Sequence, residues 1–93
     1  MAIRYDTDAI FEAARMVSSV ASDVQSSCRE VGKINTSVND VFEGDAANAF
    51  KFQLSDLNSD LQKLRNGLNS ISNELRRYAI RLQEADAEAA SKF

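Results

Sequence analysis

The sequence predicts an all-α fold: an antiparallel hairpin of two long helices, about residues 8–41 and 45–88, that dimerises into a four-helix bundle. Three observations lead there. The 93 residues include no proline and only three glycines, apolar residues recur at alternating steps of four and three through both halves, and one strong breaker, Gly44, separates the halves. A proline-free, glycine-poor chain lets helices run uninterrupted, and the four-three alternation is the seam of a helix that packs along its length. A chain of this length fits one domain over residues 1–93, and folding leaves much of its surface unburied.

The first helix starts near residue 8, bounded by Thr7 or Asp6, either of which can accept hydrogen bonds from the amide groups of the first turn. Its seam is Ile10, Ala14, Val17, Ala21, Val24, Cys28, Val31, Asn35 and Val38. Beside it runs a second row, Ala13, Val20, Ile34 and Val41, interrupted by Ser27. The combined stripe is wider than one coiled-coil contact requires, so the helix touches more than one neighbour. Cys28 packs as a small apolar residue. Asn35 either fixes register from within the seam or lies near solvent at the turn end.

The hairpin turn falls within residues 39–45, where Gly44 breaks the helix and Asp45 can cap the next. The second helix carries the seam Phe50, Leu54, Leu57, Leu61, Leu64, Leu68, Ile71, Leu75, Tyr78, Leu82, Ala85 and Ala89, apolar throughout. Large leucines opposite small and β-branched residues of the first seam give complementary volumes for antiparallel packing. Gly32 and Gly67 sit inside helices, explained by close backbone approach or by plain tolerance. From about residue 86 to 93 the chain is expected to be a flexible tail.

Helices of roughly 35 to 45 residues span about 50 to 65 Å, and a rod of two such helices cannot enclose a core. Pairing two hairpins is the economical remedy. The residues expected to carry packing and dimer contacts are Val17, Val20, Val24, Val31 and Ile34 on the first helix. On the second they are Leu57, Leu61, Leu64, Leu68, Ile71 and Leu75. Phe52 and Ile80 fall outside the seam and are either ordinary exposed apolar residues or further dimer contacts.

Raw material for catalysis is scarce. There is no histidine, and Cys28 is the only cysteine, so thiol chemistry, zinc sites and disulfide scaffolds are not expected. No catalytic, cofactor-binding or metal residues are assigned, and an enzyme is not expected. A net charge of -3 with interspersed Lys and Arg offers no basic stripe for phosphates, and the short cluster Arg76, Arg77 and Arg81 reads as a solvated helix face. Nucleic acid is therefore not an expected partner. Residues 1–5 contain Arg4 but no apolar stretch of signal-peptide length, and no window approaches 18 consecutive apolar residues. Neither a signal peptide, a transmembrane segment nor stable membrane insertion is expected.

An aromatic-X-Gly tripeptide at the turn of a helical hairpin of this length, here Phe42-Glu43-Gly44, resembles the WXG100 family, the early-secreted-antigen-like proteins of type VII secretion. Phenylalanine stands where the family usually has tryptophan. Near the carboxyl end, Leu82, Asp86, Ala89 and Phe93 fit the family's export spacing of hydrophobic, acidic, weaker hydrophobic and hydrophobic residues. Leu82 occupies the place of a motif tyrosine, and Tyr78 lies one turn earlier. The resemblance implies a virulence-associated, secreted protein that folds in the cytoplasm and leaves by a leaderless route. It also implies a head-to-tail dimer, with itself or with a paralogous helical hairpin, in which the turn of one copy lies near the tail of the other. A secretion ATPase of the FtsK/SpoIIIE type would read the composite surface.

Two other readings accommodate the same apolar faces. One is an intracellular chaperone or targeting partner that pairs with the helical amino-terminal segment of a larger toxin. The other is a generic coiled-coil structural protein. Phe42 suits either plugging of the bundle end or recognition, and Asp86 alone is an ordinary solvated position.

Overall fold

A computed structural model of the chain describes residues 6–41 and 43–91. They form two helices, α1 (Thr7–Val41) and α2 (Asp45–Ser91). The helices run antiparallel: Ser72 bonds to Ala14, Arg65 to Gln25 and Gln83 to Thr7, so positions descend along α2 as they rise along α1. The hairpin measures 75 × 17 × 14 Å, a rod two helices wide and one helix thick.

Local chemistry sets the ends. The Asp6 carboxylate accepts a hydrogen bond from the Ala9 N–H at 3.0 Å, and the Asp6 carbonyl accepts the Ile10 N–H at 3.2 Å. Asp6, rather than Thr7, is the N-cap of α1. Gly44 has a φ of 97°, a left-handed conformation that glycine adopts without a Cβ penalty. Its carbonyl accepts the Asn48 N–H at 3.1 Å and so begins α2. Asp45 falls in the first turn of α2, where a carboxylate faces the positive end of the helix dipole. At the far end α2 continues past the expected stop near residue 88, and residues 86–91 are helical where the sequence predicts a flexible tail. The alanine-rich run Ala85–Ala90 supplies strong helix formers for those turns.

The α1 seam packs as its spacing predicts: Ala14, Ala21, Cys28 and Val38 are buried, and Ile10, Val17, Val24, Val31 and Asn35 are half-buried. On α2 the structure corrects the expected seam. Leu54, Leu61, Leu68, Leu75 and Leu82 are half-buried against α1, but Phe50, Leu57, Leu64, Ile71 and Tyr78 are exposed. The second row facing α1 is instead Ala47, Lys51, Asn58, Arg65, Ser72 and Ala79, all buried or half-buried. The two rows flank the same leucines at steps of three and four, so either could complete a seam. The small row is the one that lets α2 come close to Ala14, Ala21 and Cys28. Ala14 and Ala79 have no exposed surface, and the Ser72 hydroxyl donates to the Ala14 carbonyl at 2.9 Å. The expected pairing of large residues with small ones holds for the leucine row, and at Ala47, Ser72 and Ala79 it gives way to small against small.

The energetic consequence is that Ser72 is the largest side chain fully buried among the described residues. Among the described residues no leucine, isoleucine or phenylalanine is fully removed from water by the hairpin alone, although each full burial is worth about 1.5 to 3 kcal/mol. Polar groups in the seam weaken it further: the side-chain carbonyl oxygens of Asn35 and Asn58 are shielded from solvent without a hydrogen-bond partner. Asn58→Leu, continuing the stripe of Leu54 and Leu61, is expected to stabilise the hairpin by about 1 to 2 kcal/mol, read as a higher urea midpoint by circular dichroism. Gly32 and Gly67 are not sites of close approach within the hairpin, since an added Cβ would meet nothing within 4 Å at either.

Candidate functional site

Shifting the α2 seam by one row gives the rod two unlike faces. On one face the row beside the α1 seam (Val20, Ile34, Val41) and the row beside the α2 leucines (Phe50, Leu57, Leu64, Ile71, Tyr78) stand exposed. At the turn end of this face, Val38, Ala46, Ala47 and Phe50 line a shallow apolar depression. The opposite face is polar. There Arg65 donates to the Gln25 side chain, in a groove shared with Ser18, Ser22 and Asn69. A second polar groove holds Asn35, Asn39, Asn48, Lys51, Phe52 and Ser55.

The apolar face is the main candidate site, because a soluble protein rarely leaves so long an apolar strip open. Of the expected packing residues, Val17, Val24, Val31, Leu61, Leu68 and Leu75 are half-buried between the helices. Val20, Ile34, Leu57, Leu64 and Ile71 project from the hairpin, with Leu64 51% exposed. Phe52 lies with the polar groove, away from this strip. The basic cluster is divided: Arg76 follows Asn69 by seven residues and shares the polar side, whereas Arg77 and Arg81 border the apolar row in a groove with Ile71 and Tyr78.

The second candidate comprises the two ends. Glu43 and Gly44 are exposed at the turn, and Phe42 lies outside the described residues. At the other end Leu82 is half-buried, Asp86 and Ala89 are exposed on the last turns of α2, and Phe93 lies outside the described residues. The helix between Gly44 and Leu82 is about 55 Å long, so one hairpin keeps its turn and tail patterns at opposite ends of the rod. Among the described residues no group of three or more His, Cys, Asp or Glu side chains could hold a metal ion. No described helix is long and apolar enough to cross a membrane.

The family model WXG100, "Proteins of 100 residues with WXG", matches residues 2–87. The chain belongs to the WXG100 family. The match contains the turn tripeptide with its phenylalanine as well as Leu82 and Asp86, and it stops before Ala89. The WXG100 hairpin is also similar to a solved structure, Geobacillus thermodenitrificans EsxA in crystal form I, with a TM-score of 0.82. The likeness covers 99% of this chain and 100% of that one at 23% identity, and it shows a shared fold of two long helices. No curated protein matches the chain. Membership makes this hairpin a type VII secretion-associated protein.

Two features of the site were not read from the sequence: the apolar row of α2 as a surface separate from its seam, and the small residues that seat α2 on α1. The second had a signal. Lys51, Asn58, Arg65, Ser72 and Ala79 keep seven-residue spacing, with Ala47 one turn before them, and Ala14, Ala21 and Cys28 keep the same spacing on α1.

Proposed function

We propose that the chain is a secreted substrate or co-substrate of a type VII secretion system, acting through protein contacts and without chemistry of its own. Within family membership, the observation that carries this reading is the unpartnered apolar face on a rod whose turn and tail patterns lie at opposite ends. A second hairpin laid head to tail on that face would cover Val20, Ile34, Leu57, Leu64 and Ile71. It would also bring the turn of one copy to the carboxyl-terminal end of α2 of the other. The composite surface, with Phe42 and Phe93 completing it, would then be read by an ATPase of the FtsK/SpoIIIE type. A homodimer is the favoured assembly.

Asp86 separates recognition from folding. It is exposed and the leucine stripe ends before it, so truncating it should alter stability by no more than about 0.5 kcal/mol. Asp86→Ala is expected to abolish export while leaving helicity and dimer mass unchanged. The measurement compares culture supernatant with cell lysate in a strain carrying an intact type VII ATPase. Normal export of Asp86→Ala would show that the tail spacing is not read. A wild-type chain that folds only with a second protein would favour the heteromeric targeting role instead.

A further inference from the structure

The outer flank of the exposed α2 row carries a charge pattern that the dimer reading does not by itself require. Steps of four and three place Asp56, Asp60, Lys63 and Gly67, then Ser70, Glu74, Arg77 and Arg81, on one side of the helix, and all eight are exposed. Read along the helix, the first half is acidic, acidic, basic, glycine. The second half is serine, acidic, basic, basic. Asp56 and Arg81, Asp60 and Arg77, Lys63 and Glu74, and Gly67 and Ser70 all share one midpoint, between Leu68 and Asn69.

We propose that this stripe is a self-recognition code that sets α2 of one copy antiparallel on α2 of a second copy. The inference rests on the dimer reading above and names what selects the partner and its register. In an isologous contact, if residue i touches residue j of the partner, then j touches i of the partner. A twofold axis at the shared midpoint therefore places Asp56 against Arg81 and Asp60 against Arg77 of the other copy, twice each, and Lys63 against Glu74. Every charge meets its opposite. A parallel arrangement would instead set Asp56 and Asp60 against themselves and Arg77 and Arg81 against themselves.

Within the single hairpin these charges have only weak neighbours on their own helix, Asp60 three residues before Lys63 and Glu74 three before Arg77. Among the described residues the ion pairs are Arg15 with Glu12 and Lys33 with Glu30, both on α1. Asp56 and Asp60, like Arg77 and Arg81, are like-charge pairs four residues apart, which mildly destabilise a lone helix. Asp60 and Arg77 lie about 25 Å apart along a straight helix, well beyond the screening length of about 8 Å at physiological salt, so they cannot pair within one chain. Arg77, Glu74 and Arg81 share a groove with Ile71 and Tyr78, which puts the basic end of the stripe on the rim of the apolar face. Gly67 and Ser70 flank the midpoint, where two backbones crossing on the axis need small side chains. The hairpin itself makes no such demand at Gly67, where a Cβ would enter open space.

The test uses the full chain and sedimentation equilibrium at low and high salt, with circular dichroism as the control for folding. Arg77→Glu with Arg81→Glu, and separately Asp56→Lys with Asp60→Lys, should each raise the dimer Kd roughly ten- to hundredfold at low salt. Each also adds like-charge neighbours within the helix, Glu74 and Glu84 beside the first pair and Lys63 beside the second, so circular dichroism of each double variant must show that it remains folded. All four substitutions in one chain should restore the dimer, because the pattern is again its own complement, and an equimolar mixture of the two double variants should form a heterodimer tighter than either alone. Double variants that dimerise like the wild type would overturn the charge code while leaving the apolar-face dimer standing. A quadruple variant that is folded yet stays weakened would also overturn it. A wild-type chain that is monomeric at micromolar concentration would sink both readings.

Discussion

Ala14→Leu should destabilise the hairpin by about 1 to 3 kcal/mol, the usual cost of forcing extra methylenes into a closed contact. Ala14 has no exposed surface, and Ala79 on α2 is equally closed. The Ala14 carbonyl also receives the Ser72 hydroxyl at 2.9 Å, so a leucine there must either separate the helices and break that bond or adopt a strained rotamer. Ser19→Leu is the matched control, since it adds the same side chain to α1 at an exposed position and should move stability by less than about 0.5 kcal/mol. Urea titration followed by circular dichroism compares the two. Equal midpoints would mean that α1 and α2 do not close on their small residues, and that the row of Phe50, Leu57, Leu64, Ile71 and Tyr78 faces α1 after all.

That contact also shows where the sequence was readable and where it was not. The alternation from Ile10 to Val38 identifies the α1 face without ambiguity, because only one row there has small residues at regular spacing and a single β-branched row beside it. Gly44 locates the turn because no other position between the two apolar stretches breaks a helix. On α2 the leucines at 54, 61, 68, 75 and 82 belong to two overlapping seams. Hydrophobicity points to the row of Phe50, Leu57, Leu64, Ile71 and Tyr78, whereas close approach selects Ala47, Ser72 and Ala79. A hairpin has one contact to satisfy, and in it the smaller row lies inside. Hydrophobic periodicity reports which residues want burial in the whole assembly. It does not say which neighbour buries them.

The tail illustrates a different limit. Loss of the leucine stripe after Leu82 removes the tertiary reason for helix, and a flexible segment follows if packing is the only criterion. Local propensity acts independently of packing, and alanine and glutamate at 84–90 keep the backbone helical to Ser91. Asp86 and Ala89 are thus displayed on a helix. The turn residue Phe42 and the terminal Phe93 lie outside the described residues, so their part in the proposed composite surface rests on the family spacing.

The other large effect is expected at Leu64, and it separates a working monomer from a working dimer. In the single hairpin Leu64 is 51% exposed, whereas Leu68, one turn along, is half-buried against α1. If the hairpin were the complete folded unit, Leu64→Ala would remove a side chain about half of whose surface is in water already, and Leu68→Ala would cost clearly more. If a second copy covers the apolar face, Leu64 becomes a core residue, and its truncation should cost about 2 to 5 kcal/mol per copy, matching or exceeding Leu68→Ala. Because unfolding would then be coupled to dissociation, the urea midpoint of the wild type should rise with protein concentration. Leu64→Ala should lower that midpoint most at high dilution, where mass action supports the dimer least. Denaturation curves for both variants at two concentrations a hundredfold apart measure this. A Leu64→Ala chain with the wild-type midpoint at both concentrations would leave the exposed row of α2 without a role in folding or self-association. The remaining occupant of that face would then be a different protein, met in the secretion pathway.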